Sequence, residues 1–419
     1  MNETTIWFLL VGVLLILMVL GEEFFKRAAI SAAMVYLAIG FGLGPLGLGI
    51  LRFSPTENSK TLEFVAEIVV LISLFSAGLK LRIPFQHAHW RLSLKLATLT
   101  MVSTVVLIAV LSHYVLHLPW AFALLLGGIL APTDPVLASA VQVEDERDDD
   151  RLRIGLTGEA GLNDGTAFPV VMLALTLLGL HWRENQMINW LLVDVLWATV
   201  GGLAIGYGVG WLGSKAIIWV HPKKDDELLI EDFISIGLIA LSYALALMLK
   251  SYGFLAVFAC GLAFARVEQG FFNLNSKKKA DEFSPSLIKF TSQMERIGEV
   301  LTVVIVGAML SFVKFDIWIL FFALALILVI RPLSVLAGTL GSKMRFKQRT
   351  LISWFGIRGI GSIYYLSYAM NHGVKGSDAE VQVSIVLTTV ALSILVHGIT
   401  ANPFMKIYNR SKSISATLA

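Results

Sequence analysis

The sequence predicts an all-α membrane protein with about thirteen transmembrane helices. Of its 419 residues, 56% are hydrophobic and 15% are charged, and the mean hydropathy is +0.76. A soluble domain carries about 25% charged residues. Apolar stretches of about 20 residues recur along the chain, and this is the length needed to cross a hydrocarbon core roughly 30 Å thick. These observations exclude a soluble globular fold.

Thirteen predicted spans follow one another along the chain, and most connections between them are short. The N-terminus is predicted to lie outside, because the cytoplasmic loops and tail then carry 25 Lys and Arg residues and the outer loops carry six. This asymmetry follows the positive-inside rule, and it also places the C-terminus in the cytoplasm. The spans lie at about 6–21, 29–50, 64–79, 94–112, 118–141, 152–179, 188–213, 231–249, 252–266, 297–313, 316–341, 349–370 and 380–402.

An odd number of spans allows two six-helix halves joined by the seventh span, and the two halves then have inverted topology. The fifth span corresponds to the twelfth in this arrangement. Both are interrupted, the fifth by the run 131–135 (Ala-Pro-Thr-Asp-Pro) and the twelfth by Gly356, Gly359 and Gly361. Unwound backbone at membrane depth is tolerated where it lines a cavity. The two breaks are therefore predicted to cross near the midplane and to form the functional site.

Five charged side chains lie deep within predicted spans. A charge at this depth costs about 2.5–3.5 kcal/mol on the insertion scale, so each one indicates either function or structural pairing. The five are Asp134, Glu159, Asp164, Arg331 and Arg358.

Asp134 lies in the break of the fifth span, next to Thr133 and between two prolines. Pro132 and Pro135 lack backbone donors and prevent a regular helix. The freed carbonyl groups and the Thr133 hydroxyl offer oxygen ligands for a cation. Asp134 can alternatively cap the second half-helix, and the two roles are compatible.

Glu159, Asn163 and Asp164 share one predicted helix. Glu159 and Asn163 are four residues apart and lie on one face, whereas Asp164 lies about 140° around the helix from Glu159. The two acids are thus expected to serve different partners. Asp164 is the candidate group at which a proton and a hard cation compete for the same oxygens, with Na⁺ ligands from Asp164 and Thr133 and with Asn163 and Asp134 nearby. A structural ion pair is the alternative interpretation of Asp164.

Two arginines supply fixed positive charge within the spans. Arg331 needs a carboxylate partner because its guanidinium cannot lose its charge, and Glu159 is the predicted partner. Arg358 is predicted either to neutralise the ends of the crossing half-helices or to hold an acid near the cavity. His397, in the last span, is interpreted as a packing histidine rather than a proton relay.

Three rival functions fit parts of this pattern. An intramembrane aspartyl protease would use Asp134 and Asp164 as a dyad with carboxylates about 3 Å apart, but it leaves the inverted halves and the arginines unexplained. A passive cation channel and an ion-coupled symporter are the other two. An enzyme is not expected, so no catalytic residue is assigned. No cofactor is expected besides the transported Na⁺ and H⁺.

At these residues the sequence resembles the cation–proton antiporter superfamily, and specifically its electroneutral NhaP-type sodium–proton antiporters. The resemblance covers about residues 30 to 402. The set of motifs in this order and spacing is far more specific than any one of them. The motifs are Leu74-Phe75-Ser76-Ala77-Gly78-Leu79, Thr133-Asp134-Pro135, Glu159, Asn163-Asp164, Gly253-Phe254-Leu255-Ala256-Val257-Phe258, Arg331-Pro332-Leu333 and Gly356-Ile357-Arg358-Gly359.

The resemblance implies a homodimer in a prokaryotic inner membrane that exchanges a monovalent cation for H⁺ and serves pH homeostasis. Na⁺ is the expected cation, with Li⁺ also accepted, and K⁺/H⁺ exchange is the alternative within the family. The matching residues imply ion and proton binding at Asp164, with Asp134 and Thr133 nearby, and a structural pair of Glu159 and Arg331. One titrating carboxylate, where the electrogenic branch has two adjacent aspartates, implies one cation per proton.

The resemblance also implies a division of the single membrane domain, 1–419. A mobile core is expected at about 64–179 and 297–402, and a dimerisation scaffold at about 1–50 and 188–266. Residues 403–419 are expected to form a short cytoplasmic tail.

Overall fold

The structure, a computed structural model, describes residues 3–27, 31–82, 88–143, 148–181, 186–220, 230–274, 284–342 and 344–417. Within these ranges all regular secondary structure is helical. Thirteen helical segments, α1 to α13, follow one another in the order of the predicted spans. The predicted all-α membrane fold is confirmed.

Seven of the described helices are long and apolar enough to cross a membrane, and four shorter ones are also apolar. The first four segments are α1 (Glu3–Arg27), α2 (Ala32–Leu43), α3 (Ser59–Lys80) and α4 (Ala88–Lys95, Leu96–Thr100, Met101–Val115). Then come α5 (Trp120–Leu130 with the short turn Ser139–Val141), α6 (Arg151–Leu177), α7 (Gln186–Asn189, Trp190–Trp197, Ala198–Val220), α8 (Ile230–Met248) and α9 (Gly253–Leu274). The last four are α10 (Ser284–Met309), α11 (Ile317–Ala325, Leu326–Ile330, Arg331–Gly338), α12 (α12a Phe346–Trp354, α12b Ile360–Asn371) and α13 (Ser377–Thr417).

Both predicted breaks are present, but the second half of α5 differs from expectation. A second half-helix was expected after Asp134, whereas turns and one 3-10 turn, Ser139–Val141, follow the break. Pro132 and Pro135 have no backbone N–H to donate. The Asp134 carboxylate takes the N–H groups of residues 136 and 137, which are then not available to a helical ladder.

Three of the described helices contain a π-helical segment, and in α7 it is Trp190–Trp197. Helices α4 and α11, seven positions apart in the order, each contain a π-helical segment soon after the N-terminal end, at Leu96–Thr100 and Leu326–Ile330. The second segment ends directly before Arg331 and Pro332. Proline removes one rung of the α-helical ladder, so the neighbouring carbonyls are paired in a wider turn.

Small residues bring α9 against α3 and α6. A Cβ atom on Gly261 would collide with the backbone oxygen of Phe75, and one on Gly78 would collide with that of Phe258. The ring of Phe258 also fills the space above Gly161 on α6. Two of the motifs that carry the family resemblance therefore serve helix packing.

Helix α13 is longer than its predicted span. It runs from Ser377 to Thr417 with Pro403 inside it, so the predicted tail 403–419 begins within a helix rather than after one. The extension contacts the start of α6, where Tyr408 and Lys412 bind the Asp150 carboxylate. These tertiary contacts hold the extension in helical form.

Candidate ion-binding site

The two breaks meet, as the inverted arrangement predicts. The backbone N–H of Asp134 donates to the carbonyl oxygen of Ile357 at 2.9 Å. The Ser362 hydroxyl donates to the carbonyl oxygen of Ile129, also at 2.9 Å. The first bond joins the two breaks to each other, and the second joins the first part of α5 to α12b.

Asp134 is 2% exposed. It lies where backbone N–H groups from two segments point towards one place. Its Oδ1 accepts the N–H groups of Val136 at 2.9 Å and Leu137 at 3.0 Å. Its Oδ2 accepts those of Ile360 and Gly361, the latter at 3.2 Å. The carboxylate thus caps α12b and the turn after its own break, which stabilises the partial positive charge of both.

Arg358 supplies a positive charge at the C-terminal ends of the broken helices, which carry partial negative charge. Its Nε donates to the carbonyl oxygen of Leu130, the last residue of the first part of α5, and a terminal nitrogen donates to Gly356 at 2.7 Å. Its own backbone N–H is held by the Ser393 hydroxyl of α13 at 2.9 Å. The structure therefore places Arg358 on helix ends, the first of its two predicted roles.

Glu159 and Arg331 form a two-pronged ion pair between α6 and α11. The two guanidinium nitrogens of Arg331 donate to the two carboxylate oxygens, at 2.5 and 2.8 Å. A third contact joins the same guanidinium to the carbonyl oxygen of Ile352 at 3.3 Å. Glu159 is 1% exposed and Arg331 is 2% exposed, so each charge depends on the other for compensation.

Asp164 differs from the other four buried charges. Its side chain is fully buried, and neither carboxylate oxygen has a hydrogen-bond partner in the described part of the chain. The amide oxygen of Asn163 is buried and unpartnered in the same way, while its amide nitrogen donates to the Thr133 hydroxyl at 2.9 Å. Three buried acceptor oxygens without donors are costly, and a bound cation or a proton would remove this cost.

The N-terminal turn of α12b closes one side of this group. A Cβ on Gly361 would lie 2.9 Å from Oδ1 of Asp164, so a glycine allows the carboxylate to approach the backbone. The Tyr365 hydroxyl, one turn further along, donates to the carbonyl oxygen of Asp164. Sequence reasoning did not identify Tyr365 as part of the site, although its i+4 spacing from Gly361 places both residues on one face.

Comparison with known proteins agrees with this geometry. A family model described as "Sodium/hydrogen exchanger, transmembrane" matches residues 12–407. The chain belongs to this family. The NhaP-type antiporters among the cation–proton antiporters, to which the motifs pointed, are its relatives.

Curated relatives in the exchanger family cover nearly the whole chain. The K⁺/H⁺ antiporter NhaP of Alkalimonas amylolytica is 26% identical over 400 residues, which are 94% of this chain and 65% of that protein. The K⁺/H⁺ antiporter NhaP2 of a Shewanella species (strain ANA-3) is 27% identical over 399 residues, 93% of this chain and 65% of that one. The chain therefore spans slightly less than two thirds of the length of these relatives.

A solved antiporter structure has the same fold. The sodium proton antiporter MjNhaP1 of Methanocaldococcus jannaschii, at pH 8, superimposes with a TM-score of 0.75 and 22% identity, covering 96% of this chain and 98% of that one. At this identity the likeness shows the shared fold.

Two cavities of this exchanger-family chain open on the predicted cytoplasmic side. Their volumes are about 270 and 350 Å³, and both are lined by Ser139, Ala140, Arg296 and Glu299. The first also reaches Ile357, inside the break of α12. Glu299 of α10 thus lines the approach to the crossing.

On the opposite side an acidic cavity of about 360 Å³ lies between α3, α7, α8 and α12. Its lining includes Glu63, Glu67 and Asp194. The ring of Phe168, one turn along α6 from Asp164, lines this cavity, and its centroid lies 5.1 to 6.0 Å from the centroids of five aromatic rings. They belong to Tyr252, Phe254, Tyr364, Tyr365 and Tyr368.

The geometry argues against a protease dyad. A dyad requires two carboxylates that share a proton at about 3 Å. Both oxygens of Asp134 accept backbone N–H groups instead, and neither oxygen of Asp164 is hydrogen-bonded to Asp134. Asp134 is occupied by helix capping.

Proposed function

We propose that the protein exchanges a monovalent cation for H⁺ by alternating access, with Asp164 as the single competitive site. The observation that carries this proposal is the fully buried Asp164 carboxylate, which has no protein hydrogen-bond partner in the described ranges and lies beside the unpartnered amide oxygen of Asn163. Each of the other four charges at depth is hydrogen-bonded to helix ends or to its ion-pair partner.

The chemistry follows from this difference in pairing. Deprotonated Asp164 binds the cation through its carboxylate and the amide oxygen of Asn163, with Thr133 as a neighbouring oxygen. Protonation of Asp164 displaces the cation, so the two substrates exclude each other. An uncompensated carboxylate crosses the membrane at high cost, so the empty site moves poorly and exchange stays coupled at one cation per proton. Asp134 and Arg358 hold the backbone that surrounds the site.

The two sets of cavities support alternating access. The first inner cavity reaches the crossing at Ile357, whereas the outer cavity is lined by the aromatic cluster around Phe168 and not by Asp164. Movement of the core, about 64–179 and 297–402, against the scaffold, about 1–50 and 188–266, would reverse this access. A homodimer held by the scaffold in a prokaryotic inner membrane, with the C-terminus in the cytoplasm, is part of the same proposal.

We propose Na⁺ as the transported cation, because MjNhaP1, which shares the fold, is a sodium proton antiporter and the matching family model is that of a sodium/hydrogen exchanger. K⁺ is the second candidate, because the curated relatives that cover most of the chain carry the name K⁺/H⁺ antiporter. Oxygen ligands of this kind suit either ion, so the choice depends on the size of the occupied site.

Proton movement in everted vesicles tests the proposal. Na⁺, K⁺ and Li⁺ are added separately, with the membrane potential either clamped or free. A cation-evoked proton flux that does not respond to the potential is expected from the wild type. The Asp164→Asn variant is expected to lose it, because an amide neither binds the cation by charge nor releases a proton.

A matched control is Asp316→Asn, which changes an exposed N-cap at the start of α11. It is expected to transport like the wild type. Wild-type flux in Asp164→Asn would contradict the assignment of the site, and a flux driven by K⁺ alone would replace Na⁺ by K⁺. A response that depends on the potential would contradict one-to-one stoichiometry.

A further inference from the structure

Three polar residues on one face of α13 hold the break of α12. Ser393, His397 and Thr400 are spaced at i, i+4 and i+7, which is one helical face. The Ser393 hydroxyl accepts the backbone N–H of Arg358 at 2.9 Å, and the Thr400 hydroxyl accepts the indole N–H of Trp354 at 2.9 Å. His397 lies between these two ties.

The ring of His397 faces a carbonyl oxygen at each nitrogen. Nδ1 lies 2.9 Å from the carbonyl oxygen of Ser393, and Nε2 lies 2.9 Å from that of Trp354. A carbonyl oxygen only accepts, and a neutral imidazole has one N–H. Both contacts are therefore hydrogen bonds only when the ring carries two protons. In the neutral ring one nitrogen lone pair points at a carbonyl lone pair.

Ser393 connects this ring to Arg358. The Ser393 hydroxyl oxygen is 3.2 Å from Nδ1, and the same oxygen holds the N–H of Arg358. When Nδ1 loses its proton, the Ser393 hydroxyl can turn to donate to it. The protonation state of the ring is thus transmitted to the segment whose arginine satisfies the carbonyl groups of Leu130 and Gly356.

Protons can reach His397 from one side of the membrane. Although its side chain is 2% exposed, it lines the inner cavity of about 270 Å³ together with Ser393. Burial and the guanidinium groups of Arg331 and Arg358 oppose a charge on the ring, while its hydrogen bonds to the two carbonyl oxygens favour it. The charged and titratable groups that face it are Tyr36 on α2, Arg296 and Glu299 on α10, Arg331 on α11 and Arg358 on α12.

We propose that His397 is a pH-dependent positioning residue for the transport site. With two protons the ring ties Trp354 and Ser393 together and holds the Arg358 segment tightly. With one proton it releases one tie and loosens the segment. This inference rests on the proposed exchange function, because it concerns how fast the same site is turned over when the cytoplasmic pH changes.

The test compares His397→Gln with the wild type in everted vesicles, where the bath pH sets the pH of the inner cavity. Exchange rates are measured at saturating cation between about pH 5 and pH 8, the range in which an imidazole titrates. Glutamine has a single donor group, its amide NH2, and it does not titrate. The variant is expected to be roughly two- to tenfold faster than the wild type at the acid end, the equivalent of one net hydrogen bond. The two rates should converge at the alkaline end.

Two controls separate titration from simple anchoring. Thr400→Val removes the tie to the Trp354 indole on the same face, so its rate relative to the wild type should be constant with pH. His372→Gln removes an exposed histidine whose Nδ1 also lies on an i−4 carbonyl, that of Tyr368, and it should leave the profile unchanged. If His397→Gln is poorly folded, Ser393→Ala removes the connecting hydroxyl and should give the same pH-dependent ratio.

The ratio of the His397→Gln exchange rate to the wild-type rate could instead be equal at every pH, and the Ser393→Ala ratio likewise. That result would overturn the inference while leaving the exchange function intact. Absence of cation-driven flux in the wild type would instead contradict the proposed function. Nitrogen-15 NMR of histidine-labelled protein gives a readout independent of transport. The resonances that disappear in His397→Gln belong to the His397 ring. In the wild type they should show two protonated nitrogens at acid pH and one at alkaline pH. A ring that stays neutral throughout would also overturn the inference.

Discussion

At the scale of single residues, five buried charges are distinguished by what surrounds them. Asp134 accepts N–H groups at a helix N-terminus, and Arg358 donates to carbonyl groups at helix C-terminal ends. Glu159 and Arg331 form an ion pair with each other. Asp164 alone among the five has oxygens without a hydrogen-bond partner in the described structure. Pairing therefore separates the four charges with protein partners from the one that we propose as the substrate site, although all five cost the membrane domain similar desolvation.

The Glu159–Arg331 pair allows a stability prediction. Glu159→Gln should lower the free energy of unfolding by about 3–5 kcal/mol, because it leaves the Arg331 charge buried without a counter-charge. Denaturation in mixed micelles measures this change. Lys314→Gln is the matched control, since its pair with Glu380 is largely exposed, at 73% and 55% of the two side chains. It should cost about 0–1 kcal/mol.

Replacing both partners gives the complementary result. The double variant Glu159→Leu with Arg331→Met should regain most of the lost stability, because no charge is then left buried. Equal losses for Glu159→Gln and Lys314→Gln would show that the buried pair contributes no more than a surface pair.

At the scale of helices, glycines decide how closely α3 and α9 approach. Gly261→Ala places a methyl group against the backbone oxygen of Phe75, and a backbone atom cannot move aside as a flexible side chain can. We expect a loss of about 1–3 kcal/mol, typical of overpacking. Thermal unfolding in detergent with ligand-free protein measures it.

Gly270→Ala on the same helix is the control. A Cβ there meets nothing within 4 Å, and alanine favours the helix over glycine by up to about 1 kcal/mol. The control should be neutral or stabilising. A Gly261→Ala variant as stable as Gly270→Ala would mean that the two helices separate at little cost.

At the scale of the whole molecule, the extension of α13 ties the C-terminal part of the chain to the start of α6. Asp150 caps α6 through the N–H groups of Leu152 and Arg153, and it also accepts from Tyr408 at 3.0 Å and Lys412 at 2.8 Å. Burial alone would raise the pKa of Asp150, but the hydrogen bond and charge of Lys412 and the Tyr408 hydroxyl hold the pKa below its ordinary value.

The lowered pKa of Asp150 makes its contribution to the stability of the folded protein depend on pH. Because the folded protein favours the charged carboxylate, the stabilisation is complete above the unfolded pKa of about 3.9 and is lost as the pH falls through the lower folded value. Asp150→Asn keeps an N-cap but removes the charge. Its melting temperature should lie below that of the wild type at neutral pH, and the gap should narrow below about pH 4.

Lys412→Gln removes the same tie from α13 and should show the same narrowing. A melting difference for Asp150→Asn that does not change with pH would assign the effect to the cap rather than to the charge. In that case the α13 extension would contribute packing through Tyr408 but no electrostatic stabilisation.

Much of the fold was predictable from the sequence because the bilayer imposes strong local rules. Span length and Lys/Arg distribution predicted thirteen helices in order, and the prolines around Asp134 and the glycines around Arg358 predicted both breaks. These signals are local, since a run of apolar residues or a proline acts on its own segment. The same rules overestimated the helix after Asp134, because the Asp134 carboxylate takes the N–H groups of Val136 and Leu137. They also ended the last helix too early, because its extension is held by Asp150, far away in sequence.

The sequence by itself thus determined the membrane class, the number and order of the helices, and which charges lie at depth. Only the tertiary structure decided what each charge does, because pairing depends on which helix ends and side chains meet across distant segments. It placed Asp134 and Arg358 on crossing helix ends, left the oxygens of Asp164 and Asn163 without donors in the described ranges, and set His397 between two carbonyl groups. The His397 contacts join α13 to α12, and no pattern within either helix predicts them.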